Sequence, residues 1–389
     1  MRIALEMMGL VPGQVGGMET YVRQLLAALA RLDAPHEYLV LVGREAKGLA
    51  PRDDPRFTEF VADTRAPRWL LGVRSGQSLW QWRAAGRELA RWKHDVLHCT
   101  LHVPRPAWGA RNMVLTLPDL NFEEFPDLWT FKQRTMLKVH CRLGARLARR
   151  IITLSEYARR CIVDRYRVPA DRIDVVPCGV DGELFRPEKE AGEDEGPAPW
   201  PREPFLFYPA NTWPHKNHPR LLEALALLRD RHGLTVPLVL TGAEKHGHRD
   251  MMTAAERLWL TDQVRWLGYL DRRQLAACYR AATALVFPSL HEGFGIPVVE
   301  AMASGCPVAC SSTTATGEVA ADAALTFEPR DPEAMTSAIR ALLTDESLRR
   351  GLAAKGLQRA TLFTWERCVL GTMESYEKLI GIASGTDSE

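Results

Sequence analysis

The 389-residue sequence contains eight cysteines, and no two of them are spaced CxxC. Scattered thiols of this kind suit reduced packing positions in a cytosolic protein better than a disulfide framework. Cys306 and Cys310 lie close together, but a proline and the start of a strand separate them, which argues against a metal site. No apolar run approaches the ~18 residues of a membrane span. The opening stretch MRIALEMMGLVPG lacks a sufficient secretory hydrophobic region, so the expected location is cytoplasmic. A net charge of +2 gives no support for nucleic-acid binding as the overall role. The dinucleotide fingerprint GxGxxG is missing, which argues against a dehydrogenase. No DxD follows a strand, and the EDE run at 193–195 reads as solvated charge, so no catalytic metal and no cofactor are expected.

What is present is a rhythm. Short apolar runs (RIALEMM, EYLVLVG, DVLHCT, MVLTL, RIITLS) alternate with helical patterns such as METYVRQLLAALARL, whose Val22, Leu25, Leu26 and Leu29 share one face. This βαβ alternation predicts a largely parallel sheet. Residues 187–204 are acidic, rich in proline and glycine, and poor in aliphatics, as an interdomain linker would be. The rhythm then restarts with PFLFYPA, VPLVLTG, QVRWLGYL, ALVFPS, PVACSS and ALTFEP. The expected fold is α/β, with two Rossmann-like domains facing a cleft. The divisions are 1–186, the linker 187–204, 205–365, and a C-terminal helix in 366–389 crossing back to the first domain. Ligands in such sheets sit beyond the carboxyl ends of the strands.

The stretch FPSLHEGFGIPVVEAMASGCPVACS, beginning at Phe287, carries the densest chemistry. Glu292 follows a buried strand. Gly293 and Gly295 permit close backbone approach, and Pro297 suits a first helical turn. The amides near Ile296 to Val299 then offer an anion site at a helix N-terminus. Glu300, expected in the first turn of that helix, would accept hydrogen bonds from hydroxyls to one side of the anion, as would Glu292. From these residues alone, a solvated loop charge at Glu292 and a helix-dipole role for Glu300 remain open alternatives.

The segment resembles the E-x7-E signature of retaining glycosyltransferases of family 4, which have the GT-B fold. GGMETYV, TLSEYAR, VVPCGVD, PHKN and the run from Trp266 to Ala309 are similar to family segments in the same order. The resemblance implies that Glu292 holds donor-sugar hydroxyls, Glu300 holds the ribose, and the backbone at Phe294 and Gly295 borders the sugar. It further implies that Lys216 neutralises a diphosphate while Gly16 and Gly17 close over it from the other domain. Two departures stand out. Asn211 replaces a usual arginine, and Pro118 replaces a histidine that would touch the donor, leaving Asp119 beside it. His98 and His102 are acceptor-side candidates that could compensate; loop or packing roles are equally open. The donor implied is a nucleotide sugar, with GDP-mannose ahead of a UDP-sugar, and the acceptor a glycan or a lipid-linked molecule. The alternatives are a non-catalytic nucleotide-sugar-binding homologue and a transferase using a UDP-sugar and a soluble small-molecule acceptor.

Two stretches of the first domain are basic. Residues 65–93 hold seven Arg/Lys, one acid and Trp69, Trp80, Trp82 and Trp92; residues 128–155 hold seven Arg/Lys and no acid. Arg142, Arg146, Arg149 and Arg150 are expected to crowd one helix there. Such surfaces fit an anionic membrane, here the inner face of the plasma membrane, or equally a solvated face with inward tryptophans.

Overall fold

The computed structural model describes all residues except 14–15, 63–73, 102–111, 189–197 and 386–389. His102, Trp69 and the middle of the 187–204 stretch therefore lie outside the described residues, as do the side chains at 74–80.

Two parallel sheets form the molecule. The first has strands β1 (Arg2–Met7), β2 (Glu37–Val42), β3 (Phe57–Val61), β4 (Val96–Cys99), β5 (Met113–Thr116), β6 (Arg150–Thr153) and β7 (Ile173–Val175), in the order β3-β2-β1-β4-β5-β6-β7. The second has β8 (Leu206–Pro209), β9 (Leu238–Thr241), β10 (Val264–Trp266), β11 (Ala284–Phe287), β12 (Val308–Ser311) and β13 (Leu325–Phe327), in the order β10-β9-β8-β11-β12-β13. Both are Rossmann-like, and both reverse strand order at one point, between β1 and β4 and between β8 and β11. The central strands are buried on both faces, which is why they read as continuous apolar runs. The sequence reading missed β3 and β7. β3 is an edge strand that is mostly not fully buried, and β7 is three residues long with Asp174 in its middle.

The helices of the first half are α1 (Gly17–Arg31), α2 (Arg74–Trp92), α3 (Asn121–Glu124), α4 (Phe131–Leu147) and α5 (Glu156–Tyr166). Those of the second are α6 (His218–His232), α7 (His248–Arg257), α8 (Arg272–Ala281), α9 (Ile296–Ala303), α10 (Thr314–Ala320), α11 (Pro332–Thr344), α12 (Glu346–Ala360) and α13 (Trp365–Gly385). α13 returns to the first sheet's side and packs on α1, where Trp365 and Tyr21 place their ring centroids 6.4 Å apart. Where the chain passes between the halves, Val180 bridges to Thr364, and a Cβ at Gly179 would collide with the backbone of Thr364 and Trp365. Among the described residues, no helix is long and apolar enough to cross a membrane.

The structure corrects part of the basic-surface expectation. Arg150 lies on β6, not on a helix. It is buried and donates through Nε and Nη2 to the Asp174 carboxylate, both at 2.7 Å. Trp82 and Trp92 pack inward against the core of the first domain, and Arg2 sits 4.4 Å over the Trp92 ring. Cys306 and Cys310 are buried, and burial pushes both thiols up to about 12, which fits packing positions.

Candidate active site

Strand β11 is fully buried and ends at Phe287, so Glu292 emerges beyond its carboxyl end at the switch point of the second sheet. The Glu292 backbone is tied to the first turn of α10: its N–H donates to Thr314 Oγ1 at 3.3 Å, and its carbonyl accepts from Ala315 N at 3.4 Å. Gly295, at φ +104°, turns the chain into α9 without a capping side chain. The N-terminus of α9 is therefore left to backbone groups, with Pro297 in its first turn and Ile296 at its start. The Phe294 side chain is buried, 5.5 Å from the Phe363 ring, and Val299 is buried as well, so at these positions the backbone is what can face a ligand.

Lys216 arrives from the neighbouring strand. After β8 the chain makes a tight helical turn at Pro214–Lys216, and Asn217 follows at φ +64°. The Asn217 carboxamide anchors this turn by donating to Pro288 O at 3.1 Å and Pro329 O at 2.7 Å. Tyr208 adds a hydrogen bond to the Lys216 carbonyl at 2.7 Å. So held, Lys216 places Nζ 2.5 Å from Glu292 Oε1 and 5.7 Å from the Phe287 ring centroid. Two residues far apart in sequence thus form one mostly buried ion pair.

The first domain closes the other side. A Cβ on Gly16 would lie 3.9 Å from Asn211 Nδ2, and one on Gly17 would lie 3.8 Å from Ile296 Cδ1. Asn211 Oδ1 accepts from Ala243 N at 2.7 Å. Gly293 packs so closely under Pro118 that any Cβ would collide with the Pro118 carbonyl and come within 3.0 Å of Asp119 Cβ. Asp119 also accepts from Asn121 N at 3.1 Å, which fixes the start of α3.

Sequence reasoning missed the contacts that join the halves here. Ser155 Oγ donates to Gly293 O at 2.9 Å. The Glu318 carboxylate of α10 accepts from Glu156 N and Tyr157 N at 2.8 and 2.9 Å, an acid from one domain capping a helix of the other. His291 Nδ1 lies 2.8 Å from Glu124 Oε2. Burial opposes protonation of His291. The Glu124 hydrogen bond, with the charges of Asp119, Glu124 and Glu292, nevertheless holds its pKa above the ordinary histidine value. The partners are 138 to 167 residues apart, so no local spacing signals them.

Glu300 is the fifth residue of α9 and lies in its second turn, not its first. It is buried, and Tyr279 OH donates to its Oε2 at 3.1 Å. Burial raises its pKa to about 7 against the opposing effects of Arg272 and the Tyr279 hydrogen bond. Because the folded carboxyl holds its proton more tightly than the unfolded chain, Glu300 is neutral for stability below about pH 4.5. It then removes stability as pH rises towards 7. The full loss is about 3 kcal/mol by the conversion of a pKa shift. Glu300→Gln should therefore melt increasingly above the wild type from pH 4.5 to 7, with a constant gap beyond. Parallel melting profiles across that range would contradict a buried, proton-retaining Glu300.

His98 is not available to an acceptor. It is fully buried between Tyr376 OH of α13, 2.6 Å from Nδ1, and Thr116 Oγ1, 2.7 Å from Nε2, and burial lowers its pKa to about 3. Its role is to join α13 to the first sheet.

Residues 15–184 match the family model for Glycosyltransferase Family 4, and residues 193–359 match that for Glycosyl transferases group 1. O-antigen chain mannosyltransferase B of Escherichia coli is 33% identical over 236 residues, 60% of this chain and 61% of that protein. O-antigen chain mannosyltransferase RfbU of Salmonella typhimurium is 28% identical over 254 residues, 65% of this chain and 67% of that protein. The matched stretches thus span about three fifths to two thirds of these relatives. Sucrose-phosphate synthase from Thermosynechococcus elongatus superposes with a TM-score of 0.77 at 23% identity, covering 98% of this chain and 99% of that one. With two family models spanning both halves and a matching two-sheet architecture, the chain belongs to glycosyltransferase family 4, a family of retaining hexosyltransferases with the GT-B fold.

Proposed function

We propose that this chain transfers mannose from GDP-mannose, with retention, to a glycan or lipid-linked acceptor at the cytoplasmic side of the cell, without a catalytic metal. The observation that carries this reading is the Lys216–Glu292 pair, 2.5 Å apart at the switch point of the second sheet, with Gly16 and Gly17 of the other domain facing nearby Asn211 and Ile296. The names of the two bacterial relatives favour mannose. In this reading the donor diphosphate lies against Lys216, the N-terminus of α9 and the glycine turn, which stabilise the charge that grows as the leaving group departs. Glu292 accepts from sugar hydroxyls and Glu300 from the ribose. Asn211, Phe294, Gly295, Ile296 and Val299 line the donor, and Asp119 borders the sugar from the first domain. The bond from the anomeric carbon to the β-phosphate oxygen breaks, and the acceptor oxygen bonds to the same face of that carbon. The acceptor proton passes to the departing phosphate oxygen. Pro118 has no side-chain acceptor to take it.

A second reading, a nucleotide-sugar-binding homologue without turnover, draws on Pro118 and Asn211. The first lacks a polar side chain, and the second brings no charge and has already committed its carbonyl oxygen to Ala243 N. One screen separates the two. Thermal shift and donor hydrolysis are measured across GDP-, UDP- and dTDP-sugars, with the largest shift and slow hydrolysis expected for GDP-mannose. Stabilisation by a donor without any hydrolysis or transfer favours the second reading. No stabilisation by any donor overturns both.

A further inference from the structure

Helix α4 presents a side that the rest of the described chain leaves uncovered. Leu137, Cys141, Gly144 and Ala145 face inward. Met136, Val139, Leu143 and Leu147 recur every three or four residues, so they form one line along the helix, and they are 48%, 58%, 50% and 60% exposed. Phe131, the first residue of α4, is 85% exposed. Arg142 and Arg146, both exposed and four apart, edge this line, and exposed Lys132 and Arg149 stand near its two ends. Lone exposed apolar residues are ordinary, but a continuous line edged by cations marks an interaction surface.

The charge distribution selects the partner. Residues 128–155 carry seven Arg/Lys and no acid in a chain whose net charge is only +2. Lys138 is paired with Glu123 at 2.5 Å and Arg150 with Asp174 at 2.7 Å, whereas Arg142, Arg146 and Arg149 enter no ion pair among the described residues. A second copy docked on the same face by two-fold symmetry would set these arginines against one another. A nucleic acid would leave the apolar line without a partner. A surface with phosphates above and hydrocarbon below satisfies both features. We propose that α4 is an interfacial helix that lies against anionic lipid, its apolar line in the acyl boundary and its arginines among headgroup phosphates. α4 also borders the cleft, because Glu123, the partner of Lys138, is the chain neighbour of Glu124, which meets His291. The inference extends the proposed function by bringing the cleft beside the lipid. It does not depend on that function, since α4 holds none of the donor-site residues.

The test is co-sedimentation of the full chain with phosphatidylglycerol/phosphatidylcholine vesicles and with phosphatidylcholine vesicles. Binding is expected to the first and not the second at low salt, with partial release in high salt as the Debye length shrinks. Arg142→Ser with Arg146→Ser, and separately Leu143→Ser with Leu147→Ser, should each lower partitioning roughly tenfold or more. All four positions are exposed, so melting temperature and donor hydrolysis should match the wild type. A wild type that ignores anionic vesicles at low salt overturns the inference, as does binding that survives in both double variants. A concentration-dependent dimer abolished by the leucine pair, with no vesicle binding, also overturns it and assigns the line to a second copy. Lost vesicle binding with intact donor hydrolysis leaves the transferase reading untouched.

Discussion

Replacing Glu292 with alanine should lower turnover by about two orders of magnitude, or about 3 kcal/mol of transition-state stabilisation, without weakening diphosphate binding. The first half of this expectation comes from charge. As the sugar becomes oxocarbenium-like, a carboxylate accepting from its hydroxyls binds it more tightly and opposes its positive charge. The second half comes from the pair itself. In the free protein Glu292 Oε1 already holds Lys216 Nζ at 2.5 Å, so an entering diphosphate competes with Glu292 for the ammonium. Alanine removes the competitor. Diphosphate affinity measured by isothermal titration should therefore stay level or improve while kcat collapses. A variant whose kcat stays within about threefold of the wild type would place Glu292 outside the donor site.

Lys216→Ala should show the opposite signature, with diphosphate affinity and turnover falling together. A charge that contacts the leaving group before and during bond breaking contributes to both ground and transition states. A loss of about tenfold or more in diphosphate affinity is expected, about 1.4 kcal/mol. The variant also strands the mostly buried Glu292 carboxylate without its cation, which should lower the melting temperature. Removing both partners should restore part of that stability, because residues in direct contact do not act additively. Unchanged diphosphate affinity in Lys216→Ala would remove the lysine from its assigned place.

The strands that build the site were legible because fully buried parallel strands are apolar on both faces. ALVF at β11 and LVLT at β9 need no partner to be recognised. β7 was not legible, since it is three residues long and its middle residue is Asp174, paired with Arg150. Glu292 was singled out by its place after a buried strand and Lys216 by a resemblance, and nothing in their 76-residue separation implies contact. Glu300 was assigned to the wrong turn because a boundary shift of one residue is beyond what capping patterns fix. The burial of His98 depends on Tyr376, 278 residues downstream. The composition of α4 showed a basic helix, but its outward apolar line follows only from which residues the core takes inward.

The side-by-side passage of the chain at Val180 and Thr364 governs how the cleft can open. Gly179 lets the two crossings lie in backbone contact, so they behave as two pins on one edge of a door. Pins so placed allow swing and resist sliding. The polar contacts that part during a swing include three latches: Ser155 to Gly293, Glu318 to the first amides of α5, and Glu124 to His291. None of them belongs to either core. A swing that parts the cleft leaves both sheets intact and breaks only contacts between the halves, these latches and the ring contacts of Phe125 and Tyr157 with His215 and His291 among them.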